Sequence, residues 1–300
     1  MKNTIFTGAG VAIVTPFNLD GTVNYDEFAM NIDYQIENGT DAIIVCGTTG
    51  ESATLSDEEH VACIRFAVEH VNKRIPVIAG TGSNDTGYAI QLSQEAQNCG
   101  ADGLLLVTPY YNKTTQAGLV AHFTMIANSV DIPIILYNVP SRTGMNISID
   151  TYSQLAGHKN IVAVKEASGS ISYVAKLLER CGDQLDVYSG NDDMIVPVMS
   201  LGGVGVISVL SNILPRETHE ITRFCLEGDF KSASALQLKY LELINALFSE
   251  VNPIPIKEAM NLMGLNAGCY RMPMYPMAPE NRKKLAAIMR AAGLPVKEDA

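Results

Sequence analysis

IVAVKEAS, residues 161–168, is a short apolar and β-branched run closed by Asn160 on one side and Gly169 on the other, with a lysine inside it. A continuous apolar run without polar alternation reads as a strand buried on both faces, the form strands take in parallel sheets. A solvated ammonium does not belong there, so Lys165 needs an account. Side chains alternate faces along a strand, which places Ile161, Ala163 and Lys165 on one face and Val162, Val164 and Glu166 on the other. Val162 and Val164 suit packing against helices, and Ala163 leaves room below Lys165. The lysine is therefore expected to point into an interior. The alternative is a strand-end lysine that snorkels to solvent or pairs with Glu166.

The same unit recurs on both sides of this strand. Strands are predicted over 10–17 (GVAIVTPF), 42–46, 75–79, 104–107 and 132–137 before it, and over 185–188 and 205–209 after it. Helical signals lie between them. Asn24 with Glu27 and Ser56 with Glu59 have capping-box spacing, and Gly39 stands where a helix-terminating glycine belongs. Phe28, Ile32 and Ile36, then Val61, Ile64 and Val68, recur at helical spacing. Further helices are predicted around Ile90 and Leu92 and over 117–128, 151–156, 172–180 and 195–200. Eight strands alternating with helices are βαβ units, which predicts an α/β fold, a closed (β/α)8 TIM barrel, with an open doubly wound sheet as the alternative. What remains reads as helices over 232–248, 256–263 after the turn-rich NPIP, and 281–292. The expected organisation is a catalytic barrel over 1–228 and a small C-terminal helical subdomain over 229–300, with the polar tail VKEDA frayed.

Composition narrows the function. Of 300 residues, 47% are hydrophobic and 18% charged, too apolar for disorder. No apolar run approaches the roughly 18–20 residues of a membrane helix, and the opening MKNTIFTGAG has no secretory pattern, so a soluble, cytoplasmic protein with no membrane association is expected. A formal net charge of -11 argues against a nucleic-acid partner and means that an anionic substrate must be met by local cations. Cys46, Cys63, Cys99, Cys181, Cys225 and Cys269 are irregularly spaced and read as reduced, mostly buried thiols. The five histidines form no HExxH or similar pattern. Neither a metal nor another cofactor is expected.

In a barrel of this class the chemistry sits at the C-terminal ends of the strands. That rule selects Thr48 and Thr49, the loops 108–112 and 137–144, Lys165, 189–193 and 207–212. A lysine in the barrel mouth can attack a carbonyl as its neutral amine. With a pKa near 10.4 only about 0.04% is neutral at pH 7; lowering it by roughly three units gives about 30%, at a cost on the order of 4 kcal/mol. The imine so formed acidifies the adjacent carbon, the basis of aldol-type addition. Tyr137 shares a face with Ile135 on the neighbouring strand, where its phenol can move protons, the alternative being a core aromatic. Arg142 in SRTG offers a planar fork to a carboxylate, or else a surface ion pair. Thr48 and Thr49 in GTTGE bring hydroxyls and turn amides suited to a small carboxylate. Tyr110 and Tyr111 line the mouth or an interface.

AIVTPF, GTTGESATL, IPVIAGTG, VTPYYN, ILYNVPSRTG, VKEASG and VNPIPIK, in this order across almost the whole chain, resemble the dihydrodipicolinate synthase family, the 4-hydroxy-tetrahydrodipicolinate synthases of lysine and diaminopimelate biosynthesis. The wider superfamily of pyruvate-dependent class I aldolases, N-acetylneuraminate lyase included, shares the lysine and the tyrosine, while GTTGE and SRTG resemble the synthases in particular. The resemblance implies a lyase in which pyruvate forms a Schiff base with Lys165, becomes an enamine and attacks the aldehyde of aspartate semialdehyde; cyclisation then releases the lysine. It implies a proton relay of Thr49, Tyr137 and Tyr111, with Tyr111 coming from the neighbouring subunit of a tight dimer. Thr48 and Thr49 would hold the pyruvate carboxylate and Arg142 the semialdehyde carboxylate, while the backbone near Gly190 and Ile207 would tune the lysine. A homotetramer built as a dimer of dimers is also implied.

The effector site of lysine-inhibited members maps onto Ser52, Ala53, His60, Asn84 and Tyr110. A second histidine of that pattern is Asp57 here, and the glutamate expected to hold the lysine ammonium is Tyr88. A lost charge-assisted contact is worth about 1.5–3 kcal/mol, roughly ten- to hundredfold in affinity, so weak or absent feedback inhibition is expected. Two other functions stay open: an aldolase or lyase for sugar-derived 2-keto acids, and a non-catalytic barrel that senses a keto acid or phosphate, with Gly202, Gly203 and Gly205 as phosphate-loop glycines. Those glycines equally suit a tight entry into the eighth strand.

Overall fold

The computed structural model describes residues 4–297, so the end of the VKEDA tail lies outside the described residues. Its elements run in the order β1 (Gly8–Ala12), α1 (Tyr25–Glu37), β2 (Ala42–Val45), α2 (Asp57–Val71), β3 (Val77–Gly80), α3 (Thr86–Asn98), β4 (Gly103–Val107), α4 (Gln116–Asn128) and β5 (Ile134–Asn138). There follow α5 (Pro140–Thr143), α6 (Ile149–Leu155), β6 (Ile161–Glu166), α7 (Ile171–Cys181), β7 (Asp186–Ser189), α8 (Ile195–Ser200), β8 (Gly205–Ser208) and α9 (Pro215–Leu226). The chain ends in α10 (Phe230–Lys239), α11 (Leu241–Ala246), α12 (Ile254–Met263) and α13 (Pro279–Ala291). The strands form a closed parallel barrel in sequence order, with β1 pairing β8. The open doubly wound sheet is excluded. Local chemistry matches the helix starts: Ser56 and Glu59 form a reciprocal capping box, and the Asn24 side chain accepts the Glu27 N–H.

Three packed regions account for most of the burial. Ile43, Leu104, Leu136 and Val164 face the surrounding helices, whereas Ile44, Ile78, Leu105, Ile135, Ala163 and Ile207 fill the barrel interior. A third cluster joins Val14, Val209, Leu210 and Ile213 from the barrel's upper rim to Leu243, Ile256, Met260, Leu285 and Met289. The C-terminal helices therefore share a core with the catalytic end of the barrel.

Three expectations need correction. The first strand is Gly8–Ala12 and does not run over 10–17. Val14 N–H donates to the Asn212 Oδ1 at 3.1 Å, and Val14 and Phe17 owe their apolar character to contacts outside the barrel wall. The faces of β6 do not alternate from its first residue. Ile134 pairs with Ile161 but Ile135 pairs with Ala163, so a bulge inserts Val162. Ile161 packs with the outer layer and Val162 with Ala163 in the interior. Finally, 232–248 is not one helix: α10 ends at Lys239, α11 begins at Leu241, and Tyr240 between them is buried.

Close approach explains Gly205. A Cβ there would stand 2.1 Å from the Gly8 carbonyl oxygen, so β1 and β8 could not close the ring with any other residue. This supplies the tight entry into the eighth strand that the sequence allowed.

Candidate active site

Above the bulge, alternation resumes and carries Lys165 to the inner face at the C-terminal end of β6. Its Cα is in register with Tyr137 on β5 and with Tyr188 on β7. Lys165 is only 6% exposed, and its Nζ lies 4.4 Å from the centroid of the Tyr137 ring. Burial pushes its pKa down to about 8; Asp192 opposes the shift and the Arg142 charge adds to it. About a tenth of the amine is then neutral at pH 7, against about 0.04% of a free one. Snorkelling to solvent is ruled out. Pairing with Glu166 is not formed either: Glu166 faces outward, where its carboxylate accepts from Asn138 Nδ2 at 2.9 Å and from Ser168 N–H at 2.6 Å.

Tyr137 is buried, which raises its phenol pKa, and Arg142 and Thr48 partly offset this. Its hydroxyl is thus a protonated group beside a lysine amine, able to give a proton and take it back. Asp192 is the carboxylate near the lysine. It is 2% exposed, its Oδ2 accepts from Val209 and Leu210 N–H at 3.1 and 2.9 Å, and its Oδ1 has no hydrogen-bond partner among the described residues. Burial raises its pKa, while the Ser208 hydroxyl and those amides oppose the shift. It belongs to the span 189–193 that the strand-end rule selected, yet no role could be given to it there.

The turn after β2 brings Thr48 and Thr49 to the same end. Gly50 N–H donates to Gly47 O and Glu51 N–H to Thr48 O, both at 3.1 Å, which folds the turn on itself. Thr49 is buried and its hydroxyl oxygen accepts from Asn252 Nδ2 at 3.0 Å. Arg142, exposed on α5, donates to the Asn252 carbonyl at 3.2 Å and has no ion-pair partner among the described residues. Asn252 therefore bridges two candidate residues that follow different strands, Thr49 after β2 and Arg142 after β5. The sequence signal for it, the NPIP turn, reads as a turn before a helix and as part of a family motif, and gives Asn252 no role. Cys46, Gly47, Thr48, Leu105 and Tyr137 line a cavity of about 50 Å³ at this end. A larger groove lies at the opposite end, where Lys73 and Arg74 are neutralised by Asp102 and Asp33.

Gly190 closes the site from β7. Its N–H donates to Glu166 O at 2.7 Å, and a Cβ would stand 2.7 Å from that of Ala167. Ile207 is buried in the barrel interior. Tyr111 is not part of the cluster: it is 92% exposed and adopts φ 69, a left-handed backbone that an aromatic residue rarely takes.

The candidate effector residues gather on the adjoining rim. The Tyr88 hydroxyl donates to Asp57 Oδ1 at 2.9 Å, and its pKa is pushed up to about 12 by burial and by that carboxylate. Asn84 Nδ2 donates to Tyr110 O at 3.2 Å. His60 is buried with Nε2 2.8 Å from Gly80 O, and its pKa is lowered by desolvation. Ser52 and Ala53 form a short 3-10 turn immediately before α2.

A family model described as the dihydrodipicolinate synthetase family matches residues 5–292. The 4-hydroxy-tetrahydrodipicolinate synthase of Lachnoclostridium phytofermentans is 62% identical over 97% of this chain and 99% of its own length. Among solved structures, the dihydrodipicolinate synthase of Aquifex aeolicus superposes with a TM-score of 0.95 at 47% identity, covering 98% of this chain and 100% of the other. The chloride-inhibited synthase of Acinetobacter baumannii, solved with pyruvate, gives 0.95 at 44% identity over 97% and 100%.

Proposed function

The chain belongs to the dihydrodipicolinate synthetase family, and on that premise we propose that it condenses pyruvate with aspartate 4-semialdehyde to give 4-hydroxy-tetrahydrodipicolinate. The observation that carries this is Lys165, buried in the barrel mouth with its pKa lowered to about 8 beside a protonated phenol. The neutral amine adds to the keto carbon of pyruvate, and the carbinolamine loses water to give the protonated imine. Loss of a methyl proton gives the enamine, whose carbon attacks the semialdehyde carbonyl and leaves an alkoxide to be protonated. The substrate amino group then displaces Lys165 from the imine carbon, closing the ring and regenerating the amine.

Tyr137 moves protons in these steps, and the link from it to a tyrosine hydroxyl across the subunit interface runs through Thr48, which lies beside the phenol, in place of the Thr49 expected, whose hydroxyl is engaged by Asn252. Tyr111 is that tyrosine, supplied by a second copy. Its nearly complete exposure and left-handed backbone are what an interface-inserting side chain requires, and they support a tight dimer that pairs again into a tetramer. Thr48 and Thr49 hold the pyruvate carboxylate and Arg142 the semialdehyde carboxylate. Gly190 and Ile207 shape the lysine's surroundings. We assign residues 1–228 to the catalytic barrel and 229–300 to the helical subdomain, and the cytoplasm as location; among the described residues no helix is long and apolar enough to cross a membrane. Lysine inhibits weakly or not at all, because Tyr88 already occupies Asp57 and contributes no carboxylate of its own.

Incubation with pyruvate, reduction with borohydride and peptide mapping tests this directly. A pyruvyl adduct on Lys165, with turnover of aspartate semialdehyde and not of sugar aldehydes, is the expected result. Turnover of sugar aldehydes instead would make the protein a sugar-acid lyase, and no adduct at all would overturn the Schiff-base mechanism.

A further inference from the structure

The C-terminal segment reaches the active-site turn through a fully buried ion pair. Lys257, in the first turn of α12, is 0% exposed; its Nζ donates to Glu51 Oε1 at 2.7 Å, to Thr15 O at 3.3 Å and to Cys269 O. It also lies 4.5 Å from the Phe17 ring centroid and 5.4 Å from that of Tyr270. The second Glu51 oxygen accepts the Arg271 N–H at 3.3 Å. All three ammonium donors and both carboxylate oxygens are therefore engaged, and every hydrogen-bond partner except Thr15 lies in the C-terminal segment or in Glu51 itself.

Stability alone does not explain such a pair. Taking both charges out of water costs about as much as their attraction returns, and apolar residues of similar volume serve a core as well or better. The strain points the same way: burial lowers the Lys257 pKa, and Glu51 only partly restores it. What the pair does fix is the backbone. Glu51 adopts φ 53 and ψ 34, the left-handed region that costs a non-glycine residue about 1–2 kcal/mol. It ends the turn whose middle carries Thr48 and Thr49, and that turn, built of glycine and threonine, has no large side chain of its own to anchor it. Thr15 Oγ1 donates to Gly50 O at 2.7 Å, so the next residue back is pinned from the same cluster. Asn252, at the entrance of α12, sets the Thr49 hydroxyl.

We propose that the buried Glu51–Lys257 pair is a positioning device for the carboxylate-binding turn, making the geometry of Thr48 and Thr49 depend on the docked C-terminal segment. This role presupposes that these threonines hold the pyruvate carboxylate. Glu51 and Lys257 touch no substrate; they act through the turn.

The decisive variants are the double substitution Glu51→Gln/Lys257→Met, which removes both charges at nearly constant volume, and Glu51→Asp, which keeps the charge but withdraws it by one methylene. Arg282→Met, which breaks the 2.7 Å pair with Glu258 in the same helices, reports on lost stability alone. The readouts are Tm, the pyruvate concentration giving half-maximal borohydride trapping, and the KM for each substrate. Both Glu51 variants should need at least tenfold more pyruvate for half-maximal trapping, with full trapping at saturation and the semialdehyde KM changed less than twofold. Arg282→Met should lower Tm and leave pyruvate binding alone. Wild-type pyruvate dependence in a folded Glu51 variant would overturn the proposal. Thr49→Ala separates the two layers: if it too leaves pyruvate dependence unchanged, the assignment of the turn falls, and if it alone weakens pyruvate, only the positioning role falls.

Discussion

Replacing Lys165 by Met should abolish the adduct and, at the same time, make the protein more stable at neutral pH. The pKa falls from the ordinary 10.5 to about 8 on folding, so holding this ammonium in the barrel costs about 3 kcal/mol wherever it stays charged. Methionine fills similar space without a charge. The substitution forfeits the contact with the Tyr137 ring, worth about 0.5–2 kcal/mol, and leaves Asp192 without its counter-charge. Burial already raises the Asp192 pKa, so that carboxyl can take up a proton instead. A net gain of about 1–3 kcal/mol follows, or several degrees in Tm for a chain of this size. The sign with pH is fixed by linkage. Between pH 8 and 10.5 the unfolded chain holds the lysine proton and the folded one does not, so wild-type stability rises through that window. The penalty is present in full below pH 8 and gone above 10.5. Urea denaturation of both proteins at equal concentration, at pH 7 and near pH 10, should show the variant ahead at pH 7 and the gap narrowing at high pH. A variant less stable at pH 7, or a gap indifferent to pH, would refute the claim that burial of a charged amine is what tunes Lys165.

Two further outcomes follow from the same site. Asp192→Asn keeps an acceptor for the Val209 and Leu210 amides but removes the charge that holds the Lys165 pKa up, so the acid limb of the adduct-formation rate, set near pH 8 in the parent, should move to lower pH; an unmoved limb means that Asp192 is neutral when the amine titrates. At the rim, lysine should inhibit weakly, and Tyr88→Glu should strengthen inhibition by roughly ten- to hundredfold, the worth of a regained charge-assisted contact. Strong inhibition of the unaltered protein at low millimolar lysine would show that Asp57, freed from Tyr88, takes the ammonium itself.

The barrel was legible because each of its strands is buried on both faces and so reads as an apolar run set between helical signals. Lys165 stood out for the same reason, as a charge inside such a run that packing could not explain. Residue types could not reveal the bulge at Val162, since an inserted residue is defined by which neighbour on β5 it fails to pair with. The corrected register still leaves Lys165 facing inward because the irregularity lies below it and alternation restarts at Ala163. Without the extra residue, Lys165 would fall opposite Asn138 and face the helices, and Glu166 would turn into the barrel.

The contacts that sequence reasoning missed share a different property. Asn252 and Lys257 belong to a stretch that reads as a turn followed by an apolar helix, and their partners, Thr49 and Glu51, lie across the chain in the turn after β2. A lysine in the first turn of a helix whose other residues, Glu258 and Asn261 apart, are apolar was the available sign, since a cation placed inside an apolar face needs a buried anion. Which anion it meets is decided by how the C-terminal helices dock on the rim through Val14, Val209, Leu210 and Ile213. The lysine that performs the chemistry can therefore be found from one strand alone, whereas the shape of the pocket that selects its carboxylate depends on two parts of the chain packed together.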